Sequence, residues 1–270
     1  MRVVNSTVPP APSFRLERLG LDLRFRRVHL TARQWITPAY VKVRLEGAEL
    51  RGFDSPGADD HIRIFFPDEP AATIDGLRAA PSREYTPLAW DSDEGWLDLE
   101  FALHGGAGSD GGVAASWAAT AEIGAEVGIG GPRGSMVITG RPDAWLLAGD
   151  ETAVPAMRRF AHLMDADAVG RILVEVAGAD HALHLDAPPG VHVEQVYRDG
   201  APAGSALVDR LDSLDADDRP AGDVFGFIAA EQAIVKAGRA LLLDRWRMAS
   251  DQVVVKGYWK RGEAEYHAPH

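Results

Sequence analysis

Residues 144–155 read Ala-Trp-Leu-Leu-Ala-Gly-Asp-Glu-Thr-Ala-Val-Pro. The unbroken apolar run Ala144–Ala148 predicts a buried strand. Gly149 ends it, and Asp150, Thr152 and Pro155 mark the start of a helix. Val154, Met157, Ala161 and Met164 then fall near one face of that helix. Further along, Arg171–Ala177, His192–Tyr197, Val224–Ala230 and Val253–Trp259 read as strands, and Glu231–Met248 as a long helix. Strands alternating with helices predict a parallel sheet with crossover connections. Ligands of open α/β sheets bind at the carboxyl ends of the strands. That rule places Gly149-Asp150 and Ala229-Ala230-Glu231 at the binding edge.

Working back from residue 144, the pattern changes. Tyr40–Leu45 and Trp96–Leu103 alternate apolar with polar residues, the period of a half-buried strand. Phe25–Leu30 alternates in part, and His61–Phe66 is a short strand stopped by Pro67. Turn residues separate these runs, which predicts an antiparallel barrel or sandwich. Gly140-Arg141-Pro142-Asp143 breaks both patterns. Two domains are therefore expected, at 14–141 and 142–270. Residues 1–13 read as a loose tail, and the acidic stretch Asp209–Asp223 as a solvated loop.

Composition narrows the function. The 40 acidic side chains outnumber the 28 basic ones, giving a net charge of -12, which disfavours nucleic acid as a partner. The absence of cysteine removes disulfides, thiol nucleophiles and cysteine-ligated clusters. No apolar run is long enough for a signal peptide or a membrane-spanning helix, so the expected location is the cytoplasm. No His, Asp and Glu spacing suggests a metal site, and no Ser sits in a nucleophile elbow.

Five segments carry candidate chemistry. Arg83-Glu84-Tyr85-Thr86 puts Arg83 and Tyr85 on one strand face, suited to a phosphate and a planar ring. The glycine-rich stretch from His104 to Trp117 runs into a helix start, whose N–H groups favour an anion. Gly130-Gly131-Pro132-Arg133-Gly134-Ser135 places an arginine between glycines, in what also reads as a tight turn. Gly149-Asp150-Glu151-Thr152 suits a nucleotide at a sheet edge, and equally a helix cap. Val253–Gly262 sets Lys256, Lys260 and Arg261 around Tyr258 and Trp259, which also reads as a surface strand.

Taken in order, the chain resembles the siderophore-interacting protein family of ferric-siderophore reductases. The residues carrying this are Asp60–Pro67, Arg83–Pro87, His104-Gly105 with Trp117-Ala118, Gly131–Ser135, Leu147–Ala156 and Gly257–Gly262. The resemblance implies a ferredoxin-reductase-like fold: an N-terminal antiparallel β-barrel binding FAD, then a parallel-sheet α/β domain binding NAD(P)H. It implies that Arg83 meets the FAD pyrophosphate, Tyr85 stacks on its ring system and Thr86 lies near the reactive edge. His104 and the helix start Gly112, Val113, Ala114, Ala115, Ser116 and Trp117 complete the flavin set. Gly149, Asp150, Glu151, Thr152 and Glu231 would face the nicotinamide nucleotide, with Arg198 placed to receive a 2′-phosphate.

Three positions depart from the family pattern: Ala115 stands for a Ser, Ala230 for a Gly and Tyr197 for a Trp. The implied activity is reduction of siderophore-bound Fe(III) to Fe(II) with NAD(P)H, the iron arriving as substrate with no resident metal. A ferredoxin is the other electron donor the family allows. Between Lys236 and Arg261, seven basic residues face two acidic ones. Arg63, Lys256, Tyr258, Trp259, Lys260 and Arg261 are thus expected to meet an anionic ferric siderophore. The competing readings are a general NAD(P)H-dependent flavin reductase or diaphorase, and a siderophore-binding protein without turnover.

Overall fold

The computed structural model describes residues 12–103 and 112–263. Most of the expected tail, and His104 with its glycine loop, lie outside the described residues. The antiparallel half contains β1 (Phe14–Gly20), β2 (Phe25–Thr37), β3 (Tyr40–Glu46), β4 (Ile62–Phe65), α1 (Ile74–Arg78), β5 (Ser82–Tyr85), β6 (Ala89–Asp91), β7 (Trp96–Ala102), α2 (Gly112–Thr120), β8 (Glu126–Gly130) and β9 (Gly134–Gly140). Seven strands form one sheet in the order β5-β4-β8-β2-β3-β7-β6. The sheet has two edges, β5 and β6, so the expected barrel is a half-barrel. Its core follows the period-two pattern: Val41, Val43 and Leu45 on β3 face Leu97, Leu99 and Phe101 on β7, and none is exposed. Each such burial contributes roughly 1.5–3 kcal/mol.

β1 and β9 pair as a separate ribbon that leads out of the half-barrel. At its far end the Phe14 ring meets Phe225 edge-on, with centroids 6.0 Å apart.

The second half comprises β10 (Ala144–Gly149), α3 (Val154–His162), β11 (Val169–Val176), β12 (Gly190–Tyr197), α4 (Ser205–Asp212), β13 (Val224–Glu231), α5 (Ile234–Arg239) and β14 (Val253–Trp259). Its five strands are all parallel, in the order β12-β11-β10-β13-β14. The first strand in sequence, β10, is thus central, and the winding direction reverses beside it. That switch point opens a crevice at the carboxyl edge. A Cβ on Gly149 would come within 2.5 Å of the Ala153 Cβ and 2.7 Å of the Ala229 carbonyl oxygen, so only glycine fits the close approach there.

Two expectations need correction. The helix expected over Glu231–Met248 begins at Ile234, because Glu231 is drawn into β13, where its N–H donates to Asp150 at 3.0 Å. After Arg239 it widens into a π-turn over Ala240–Arg245, closed by the Trp246 N–H donating to the Leu241 carbonyl at 2.8 Å. Asp209–Asp223 is not all loop, since its first residues finish α4. Leu207 and Leu211, four residues apart and buried, mark the helical face beside the acids, and Leu214 is buried just past its end.

Candidate functional site

The wall nearest the half-barrel is built on β5. Antiparallel pairing sets Arg83 opposite Ile64 and Tyr85 opposite Ile62, so both side chains take the face that carries the core. The Tyr85 ring lies 4.2 Å from Phe101, Phe101 lies 6.2 Å from Trp117, and Trp117 lies 5.3 Å from Phe66. One aromatic run thereby joins the Arg-x-Tyr-Thr segment to α2. Burial pushes the Tyr85 phenol above its usual range. Arg83 is half-buried and donates through Nη1 to the Ser82 carbonyl at 2.7 Å. On α2, Ala114 and Ala115 are buried, while Gly112 and Ser116 face outward. An arginine, a half-buried tyrosine, a hydroxyl and a helix start entered through a positive-φ glycine suit a flavin dinucleotide. This donor set fits the FAD that the resemblance implies.

The opposite wall is the carboxyl edge of the parallel sheet. Asp150 has no exposure and accepts at least four hydrogen bonds among the described residues. Oδ1 takes the Thr152 N–H at 2.9 Å and the Thr152 hydroxyl; Oδ2 takes the Glu231 N–H at 3.0 Å and the Trp259 indole N–H at 2.8 Å. One carboxylate thus ties together the ends of β10, β13 and β14. Glu151 forms a two-pronged ion pair with Arg198, at 2.6 and 3.0 Å. The guanidinium expected to meet a 2′-phosphate is therefore held by a neighbouring acid. Glu231 accepts the Ala233 N–H at 2.7 Å and the Arg261 N–H at 3.2 Å.

Glu175 on β11 completes this edge and escaped the sequence reading, since nothing marks one acid within an apolar strand. It has no exposure; Oε2 accepts the Gly204 N–H at 2.7 Å, and Oε1 has no partner. Burial, opposed by that bond and by Arg198, pushes its carboxyl up to about 7. The folded chain therefore holds this proton more tightly than the unfolded chain, whose ordinary value is 4.5. The cost of Glu175 is absent below that value and grows as pH rises toward 7. Glu175→Gln is expected to leave stability unchanged near pH 4.5 and raise it by about 3 kcal/mol above pH 7. Urea midpoints at the two pH values check this, and an equal effect at both would remove the ionisation account.

β14 joins the walls. Successive strand residues point to opposite faces, so Trp259 reaches Asp150 while Tyr258 turns toward the half-barrel. There Asp59 accepts from both the Tyr258 hydroxyl and the Lys256 ammonium. The Thr86 hydroxyl is also beside Tyr258, and Thr86 itself is buried. Burial first, then the Asp59 charge, raise the Tyr258 phenol well above its usual range. α3 adds two further ties. Arg158 pairs with Glu100, which also accepts from the Tyr40 hydroxyl at 2.8 Å. Arg159 bonds Ser55 through its hydroxyl at 3.2 Å and through its carbonyl, and lies 5.0 Å over the Trp90 ring. Asp60 and Ser135, both in segments that carry the resemblance, meet by a 2.6 Å bond.

The expected cationic mouth is therefore balanced by acids. Lys256 is held by Asp59, Lys260 by Glu263, and Arg63 by Glu84 at 2.9 Å. Arg261 donates to the Ala203 carbonyl at 3.0 Å. The Lys260 and Arg63 pairs are exposed, and such pairs contribute little against solvent.

Comparison with known proteins accords with this geometry. The family model described as siderophore-interacting FAD-binding domain matches residues 29–136, and that described as siderophore-interacting protein matches residues 142–262. The NADPH-dependent ferric-chelate reductase of Escherichia coli is 34% identical over 237 residues, covering 82% of this chain and 87% of its own length. Ferric vibriobactin reductase ViuB of Vibrio cholerae is 28% identical over 90% of this chain and 92% of its own. The crystal structure of a siderophore utilization protein from T. fusca superposes with a TM-score of 0.81 at 30% identity, over 93% of this chain and 98% of that one. With flavin-type and nucleotide-type walls facing one seam, the chain belongs to the siderophore-interacting protein family.

Proposed function

We propose that this protein is an FAD-dependent reductase of ferric siderophores that takes electrons from NAD(P)H and releases iron as Fe(II). The observation that carries the reading is the seam itself. Tyr258 and Lys256 of β14 lock onto Asp59, so the Tyr85-Thr86 wall and the nucleotide edge meet at one seam. We divide the chain at 141/142, where the half-barrel passes into the parallel sheet. Its location is taken to be the cytoplasm; no helix of the described residues is long and apolar enough to cross a membrane.

Bound FAD supplies the exchange between a two-electron donor and a one-electron acceptor. The protein's part is placement. Arg83 and the start of α2 hold phosphate, Tyr85 offers a ring face, and Thr86 offers a buried hydroxyl. Asp150 fixes the edge on which the nicotinamide nucleotide rests, and Asp59 sets the angle between the two walls through Tyr258. Hard oxygen donors hold Fe(III) more firmly than Fe(II), so reduction loosens the metal with no iron ligand from the protein. Arg63, Lys260 and Arg261, in weak exposed pairs or bonded to a carbonyl, can turn toward an anionic chelate at small cost.

An absorption spectrum tests the reading first: a flavin band must be present, and NAD(P)H must bleach it without oxygen. Ferric siderophore must then restore it, with Fe(II) appearing in a ferrozine trap. Restoration by ferricyanide or free flavin alone would favour the general diaphorase; a colourless protein that binds siderophore would favour the carrier. Bleaching only by a reduced ferredoxin would make that the donor. Lys260→Ala with Arg261→Ala is expected to raise KM for an anionic ferric siderophore several-fold and flatten its salt dependence. An unchanged KM would remove these two residues from the docking site.

A further inference from the structure

A second concave surface lies apart from the seam. Arg24, Phe25 and Arg26 at the start of β2, Glu49 and Arg51 around the following 3₁₀ turn, and Arg78 of α1 line an open cleft of about 480 Å³. Its lining shares no residue with the Arg-x-Tyr-Thr segment, α2 or β14. Four guanidinium groups in one cleft are unusual in a chain of net charge -12. Among the described residues none of the four has an ion-pair partner. Glu49, the carboxylate of the lining, accepts instead from the Arg27 backbone N–H at 2.7 Å.

Arg26 is the informative member. It is 5% exposed; Nη1 donates to the Gly131 carbonyl at 2.9 Å, and Nε has no partner. Burial, and then the charge of Arg24, weaken its hold on its proton, and the charge of Glu49 opposes them only in part. A buried cation with an unmet donor, crowded by a like charge, is costly unless an anion joins it. The aromatic rings set the geometry: Arg26 lies 5.1 Å over Phe53 and Arg78 lies 4.8 Å over Phe25. A guanidinium lying over a ring can keep its N–H edge for planar oxyanions, which it grips with two parallel bonds. The volume suits a small organic molecule rather than a lone halide.

We propose that this cleft binds a small polyanion carrying two or more carboxylate or phosphoryl groups. The site is independent of the seam, so the ligand acts as an effector or passenger and not as the electron acceptor.

The test is calorimetry on the FAD-loaded protein at low salt, with citrate and inorganic pyrophosphate as probes and acetate as the monovalent control at matched ionic strength. One polyanion is expected to bind at least tenfold more tightly than acetate. Pyrophosphate as the tighter probe would assign the phosphoryl class, and citrate the carboxylate class. Arg51→Ala with Arg78→Ala is expected to weaken that binding at least tenfold, leaving the flavin spectrum and ferricyanide reduction unchanged; Arg51→Gln and Arg78→Gln singly serve if the double variant folds poorly. Arg26→Gln should weaken it as well. Binding no tighter than acetate, or retained in those variants, overturns the proposal. So does expulsion of FAD by pyrophosphate, which would make the cleft part of the flavin site.

Discussion

Asp150→Ala is expected to destabilise the chain by about 4 kcal/mol, because one buried donor and three part-buried ones lose their acceptor, at roughly 1–3 kcal/mol for each one left unmet. Those donors are the buried Glu231 N–H, the Thr152 N–H and hydroxyl, and the Trp259 indole, all now served by one carboxylate. Asp150→Asn keeps one oxygen and should lose about half as much. The readout is the urea midpoint at unchanged slope, together with tryptophan emission, which should shift as the indole loses its partner. The nucleotide edge should loosen in proportion, because the same carboxylate aligns the ends of three strands. A loss under 1 kcal/mol in the alanine variant would mean that water takes over these bonds, and that Asp150 is not the clamp of the edge.

How far the sequence reached can be judged from this residue. Gly149-Asp150-Glu151-Thr152 was legible as a strand end running into a helix start, and both elements are present. Helix capping and ligand binding stood there as alternatives, and the structure shows the cap, with the Thr152 N–H on Oδ1. The bonds to Glu231 and Trp259 were not legible, since they span 81 and 109 residues and leave no periodic trace. The same holds for Asp59. Its neighbour Asp60 carried the resemblance, yet Asp59 receives Lys256 and Tyr258 across the seam. Local pattern gave the strands of both sheets because alternation and apolar runs repeat over several residues. Ion pairs between distant segments depend on how the two sheets meet, and composition averages over them. The arginines of the β2 cleft are the extreme case: Arg24 and Arg26 are close in the chain, but Arg51 and Arg78 join them only through the fold, and the net charge of the chain points the other way.

Freeing Arg198 should change which nicotinamide nucleotide the protein prefers. NADPH differs from NADH by a phosphate on the adenosine ribose, which an arginine at this point of a doubly wound sheet can receive. Here both prongs of Arg198 are spent on Glu151, and the two side chains are only 14% and 11% exposed. Binding a 2′-phosphate in this state requires the guanidinium to leave its acid or to accommodate the phosphate beside it, with like-charge repulsion from Glu151. Glu151→Gln removes the charge while keeping the length of the side chain. It is expected to raise kcat/KM for NADPH relative to NADH by about tenfold, the worth of roughly one charge-assisted hydrogen bond. Arg198→Ala in the same background should abolish that gain. Binding of 2′,5′-ADP against 5′-AMP gives the same comparison without turnover, and so separates recognition from catalysis. The Gln variant is also expected to lose about 2 kcal/mol of stability, since it leaves a half-buried cation without its partner. An unchanged nucleotide ratio in a folded Glu151→Gln variant would place the adenosine ribose away from Arg198 and leave the ion pair a purely structural link between β10 and β12.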